Sequence, residues 1–124
     1  MKDAIEALVD EYARRYSEHD ADAVTALCLW PFVAVREGAP IHLADRKQVR
    51  DHFATIMARY RGSGVTTWSP VEIGILPAGE SACFATVRWN ALAQDGSVLR
   101  DTTTTYQLLG GPGGWRFVSY TNHF

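Results

Sequence analysis

The period of the apolar pattern changes along this chain near Gly64, and that change limits what it can fold into. Before Gly64 two stripes return every three or four positions. Ile5, Leu8, Val9, Tyr12 and Tyr16 predict an amphipathic helix over residues 2–18. Val49, Phe53, Ile56, Met57 and Tyr60 predict another, capped by Asp45 and stopped by Gly62 and Gly64. His19-Asp20 breaks the first helix. Asp20 then caps a short one running from Ala21 to about Leu27, which Trp30-Pro31 ends. Phe32 to Val35 is a β-type run, Glu37 to Pro40 a turn, and Ile41 to Leu43 a short returning strand.

After Gly64 strand-type runs alternate with turns. Residues 65–76, 82–92, 98–109 and 115–120 read as strands, punctuated at Pro77-Ala78-Gly79, Asp95-Gly96 and Gly110 to Gly114. Pro70 confines the first of these to an edge or a bulge. Helices followed by antiparallel strands mean an α+β fold, and 124 residues suit one domain over 1–124.

Composition excludes several function classes. Hydrophobic residues make up 47% and charged residues 21%, enough for a core without staples. Lys plus Arg is 12 against 14 for Asp plus Glu, a net charge of −2, which argues against nucleic acid or an anionic membrane as partner. No apolar stretch is long enough to span a bilayer, and the acidic start carries no secretory core, so the expected location is cytoplasmic. Cys28 and Cys83 lie in apolar runs and read as reduced core residues. The four His are scattered, and no phosphate loop or dinucleotide motif occurs. The expectation is therefore no metal and no cofactor.

Three stretches, in order, resemble the nuclear transport factor 2-like superfamily, which includes ketosteroid isomerases and SnoaL-like polyketide cyclases. They are the segment from Tyr16 to Leu27, then Pro40-Ile41-His42 with Asp45 to Val49, and Gly114 to Tyr120. The resemblance implies a cystatin-like cone: a strongly curved, mostly antiparallel sheet packed on three N-terminal helices. It also implies a pocket between sheet and helices, and a homodimer joined through sheet surfaces. The family's oxyanion tyrosine corresponds to Tyr12, with Tyr16 one turn on. Its base carboxylate corresponds to Arg36 or Glu37, and its second carboxylate falls near Thr104. Arg36 and Thr104 cannot supply that chemistry.

Strand alternation suggests what lines the pocket. A three-residue hairpin with Gly96 in the left-handed conformation pairs Ala93 with Ser97, Arg88 with Thr102 and Phe84 with Tyr106. It sets Phe84, Thr86, Arg88 and Asn90 on the pocket face with Thr102, Thr104 and Tyr106. A two-residue Asp95-Gly96 turn pairs Arg88 with Thr103 and Asn90 with Asp101, moving every partner to the other face. In the first register Arg88 either binds an acidic ligand or pairs with Asp101 or Glu72. Alternation from Trp115 also turns His123 inward, while His52 is expected on the polar face of its helix. Val87, Trp89 and Trp68 then form an outer apolar patch for a second subunit.

Three functions fit this pattern. The first is a pocket for a small, mostly apolar ligand. The second is an isomerase, cyclase or dehydratase, and the third a dimeric protein-association module. The sequence assigns no catalytic residue.

Overall fold

A computed structural model describes residues 1–124 as three helices and six strands. The helices are α1 (Lys2–Ser17), α2 (Ala21–Thr25) and α3 (Arg46–Gly62). The strands are β1 (Cys28–Arg36), β2 (Ala39–Leu43), β3 (Thr67–Pro77), β4 (Ala82–Leu92), β5 (Val98–Gly111) and β6 (Gly114–Asn122). The two apolar stripes are the buried faces of α1 and α3. The Asp20 and Asp45 carboxylates accept hydrogen bonds from the Ala23 and Gln48 amides, and so satisfy otherwise unpaired helix donors.

α2 is shorter than the sequence suggests, and Trp30-Pro31 does not end it. The Leu27 carbonyl accepts the Phe117 amide, and Cys28 pairs with Phe117, so β1 has already begun. Trp30 and Pro31, joined by a cis peptide bond, lie within β1 where it departs from the ladder between Cys28 and Val33.

The sheet order is β2-β1-β6-β5-β4-β3, with β1 and β6 parallel and every other pair antiparallel. The core forms between α1, α3 and one face of this sheet, from residues such as Ile5, Val9, Phe32, Phe53, Val87, Leu108 and Phe117.

Two register shifts decide which side chains meet the helices. The hairpin turn is the three-residue type: the Ala93 amide donates to the Ser97 carbonyl, and Gly96 takes a positive φ of 85°. Leu92 pairs with Val98, but Ala91 then pairs with Arg100, so Leu99 is an extra residue on β5. Beyond it Arg88 faces Thr103 and Phe84 faces Gln107. The turn thus follows one expected register and the ladder the other. A second shift lies between Gln107 and Leu108, where β6 inserts Val118, so Phe117 and Tyr120 are both buried.

Candidate functional site

The inner face of the sheet and the helices enclose a cavity of about 360 Å³. Its aromatic walls come from Tyr12 and Tyr16 on α1, Phe53 and Tyr60 on α3, and Trp68, Trp89, Tyr106 and Tyr120 on the strands. The rings interlock: Tyr12 lies 5.6 Å from Tyr106 and 6.1 Å from Trp89 between centroids, and Trp68 lies 5.0 Å from Tyr60.

Uncharged polar groups line the deep side. Trp89 Nε1 donates to Tyr106 Oη at 3.1 Å, and Thr104 Oγ1 donates to Asn122 Oδ1 at 3.1 Å. Burial pushes the Tyr12, Tyr16 and Tyr106 hydroxyls up, so all three are neutral phenols at neutral pH.

Charge gathers elsewhere on the lining, at Arg36, Arg59, Arg100 and Glu37. Arg36 ends β1 on the inward parity of Phe32 and Ala34, and its Nη1 donates to Tyr120 Oη at 3.3 Å. Behind Tyr120 sits His52, with Nε2 2.6 Å from the same hydroxyl. Burial, with the positive charges of Arg36 and Arg59 added, pushes His52 down to about 4, so its ring is neutral at neutral pH. Burial raises Tyr120 in turn, against the pull of Arg36.

Of the residues that the sequence points to, Tyr12, Tyr16, Arg36, Thr102, Thr104, Tyr106 and His123 line this cavity. His123 sits just beyond β6, where its Nε2 is 2.7 Å from Thr105 Oγ1. Phe84, Thr86, Arg88 and Asn90 do not reach the cavity. The extra residue at Leu99 turns β4 over relative to β5, so Phe84, Thr86 and Arg88 are exposed on the outer face. There Arg88 grips Asp101 with two of its nitrogens, Nε to Oδ1 at 3.0 Å and Nη2 to Oδ2 at 2.6 Å. Asn90 is half-buried, and its Oδ1 has no partner.

The same inversion removes the expected subunit patch. Val87 and Trp89 are buried in the core, and Trp68 lines the cavity. His52 is likewise not on a polar face, since three residues from Val49 and four from Ile56 it shares their stripe.

Arg59, Tyr60, Arg100, Tyr120 and Asn122 also line the cavity, beyond the residues that the sequence points to. Arg100 was within reach, because period-two counting back from Tyr106, Thr104 and Thr102 arrives there. Tyr120 and Asn122 were not, because the extra residue at Val118 leaves no mark in the alternation.

No three His, Cys, Asp or Glu side chains converge as a metal site. No helix is long and apolar enough to cross a membrane.

Over residues 2–124 the sequence matches the family described as NTF2-like protein (DUF6841). The chain belongs to this NTF2-like family. Solved structures share the fold at low identity. An NTF2-like protein with a cystatin-like fold from Novosphingobium aromaticivorans superposes with a TM-score of 0.77 at 16% identity, covering 98% of this chain and 79% of its own. An NTF2-like protein of unknown function from Shewanella oneidensis gives 0.76 at 13% identity, covering 98% and 97%. A domain of unknown function with a cystatin-like fold from Nostoc punctiforme gives 0.76 at 16% identity, covering 98% and 75%. No curated protein matches the sequence. The NTF2-like chain thus has the α+β cystatin-like architecture that its three segments suggest.

Proposed function

We propose that this NTF2-like protein binds a small, mostly apolar, ring-containing molecule in the cavity between sheet and helices. The observation that carries this reading is the wall itself: seven Tyr and Trp side chains around about 360 Å³. That volume is at the lower end of small-molecule sites, and such sites pair apolar walls with a few placed polar groups. Here those groups are the Tyr106, Thr104 and Asn122 side chains. The single carboxylate on the lining, Glu37, lies exposed in the β1–β2 turn, which favours binding over carboxylate-driven proton transfer.

Titration with a neutral bicyclic aromatic such as naphthamide, followed by two-dimensional amide spectra, tests the reading. Shifts should concentrate at Thr102, Thr104 and Asn122 and leave Thr86 and Gln107 unmoved. A Thr104→Trp substitution, filling the space, should abolish them. Shifts spread evenly over both faces, or none at all, would remove the cavity from the reading.

A homodimer is part of the same proposal, on different grounds from those the sequence offers. Leu76 (67% exposed) and Phe84 (37% exposed) pair across β3 and β4 on the outer face, where a second copy would cover them. Sedimentation at micromolar concentration should give twice 13.8 kDa; a lone 13.8 kDa species contradicts it. Both cysteines are free and buried, which supports a reducing, cytoplasmic setting.

A further inference from the structure

Arginine in this protein falls into two groups. Arg14, Arg15, Arg46, Arg50 and Arg88 each have a carboxylate within ion-pair distance. Arg36, Arg59, Arg61, Arg100 and Arg116 have none, and three of these five, Arg36, Arg59 and Arg100, line the cavity. In a chain of net charge −2, three unneutralised guanidinium groups around one aromatic space are not a general excess of base.

Two of them are held in place without being neutralised. Arg36 is half-buried and directs N–H groups at the Tyr120 and Tyr60 hydroxyls, which occupy part of its five-donor fork without neutralising it. The Arg100 guanidinium lies over the Tyr60 ring, 5.2 Å from its centroid. Stacking occupies the flat face of that group and leaves its edge, where the donors are, available. The neutral state of His52 reports the same field, since Arg36 and Arg59 add to burial in disfavouring a further positive charge.

We propose that Arg36, Arg59 and Arg100 form the receptor for the carboxylate of a small aromatic acid whose ring body occupies the cavity. This rests on the cavity being a ligand site, and adds the chemical class of the ligand. A planar carboxylate suits edge-presented guanidinium forks, which bind it bidentately. A phosphate is less well served. Phosphate sites use the backbone N–H groups of a helix N-terminus, whereas α1 and α3 contribute Tyr16, Arg59 and Tyr60 from their C-terminal turns.

The test compares naphthoate, naphthamide and naphthyl phosphate by calorimetry on the full chain at low and at moderate salt. Naphthoate should bind about 10- to 100-fold tighter than naphthamide, the span expected for charge-assisted hydrogen bonds. The advantage should shrink as salt rises. Arg36→Met and Arg100→Met should each remove about 10-fold of naphthoate affinity and leave naphthamide unchanged. Arg88→Met, on the outer face, should change neither. Arg100 is exposed, so its variant keeps the test valid if Arg36→Met fails to fold.

Equal affinity for acid and amide overturns the carboxylate receptor while the cavity reading survives. Tighter binding of naphthyl phosphate overturns the choice of carboxylate. If neither naphthoate nor naphthamide binds, both readings fall together.

Discussion

Two arginines on one hairpin met opposite fates. Arg88 on β4 lies on the outer face, exposed and clasped by Asp101. Arg100 on β5 faces inward over Tyr60, with no carboxylate beside it. The same contrast runs along both strands. On the inner face Val87, Trp89, Thr104 and Tyr106 are buried, while Phe84, Thr86 and Asp101 are exposed on the outer. Residue type alone does not separate these sets, since each holds an aromatic and a threonine. One inserted residue at Leu99 separates them, by setting which parity of β4 meets which parity of β5.

Deleting Leu99 attacks that contrast most directly. If β4 keeps its partner strand, Arg88 and Thr86 turn toward the helices and Trp89 turns to solvent. The expected result is loss of the cooperative thermal transition. A deletion variant that still melts cooperatively with Trp89 protected from quenchers would show that something else sets the faces.

Trp89→Ala tests the inner face alone. Trp89 is 3% exposed, packs on Tyr12 and donates to Tyr106. Its truncation should cost about 3–5 kcal/mol in denaturant melts, in the range for large buried aromatics. A loss below about 1 kcal/mol would mean that the cavity wall is not part of the core.

pH supplies a smaller effect at the cavity's edge. His52 is held near 4 in the folded chain, against about 6.5 when free. Between those values the unfolded chain binds more protons, so stability is complete above about pH 6.5 and falls as pH drops toward 4. The fall should be on the order of 1 kcal/mol, because solvent screens a partly exposed ring. His52→Gln should flatten that part of the stability profile, and an unchanged slope would assign it to other groups.

Arg88→Met completes the series with no expected shift in melting midpoint, because an exposed ion pair contributes little to stability. A clear loss of midpoint would mean that the subunit contact proposed at Leu76 and Phe84 extends along β4 to Arg88.

The helices were legible in the sequence because two signals agreed: an apolar stripe and an Asp cap at Asp20 and Asp45. Their order relative to the strands was enough to suggest the fold. The lining of the site was half legible. Alternation sets Thr102, Thr104 and Tyr106 inward together, because that stretch of β5 carries no bulge. Phe84, Thr86, Arg88 and Asn90 lie together off the cavity, because the relation between strands depends on Leu99. Nothing about Leu99 as a residue marks it as the one to be bulged. Val118 hid Tyr120 in the same way. His52 departs from expectation for another reason: a polar residue on an apolar stripe looks like an interruption until its partner, Tyr120, is in view.

The position of β6 has a consequence for the order in which the molecule can be completed. β6 lies between β1 and β5, although it follows every other strand in the chain. Without β6, β1–β2 and β3–β4–β5 share no strand pairing, and each set has an edge that only β6 fills. Neither can close on the other until synthesis has passed Asn122. The cavity therefore has no precursor on a shorter nascent chain, and its Tyr120 arrives with the strand that joins the two halves.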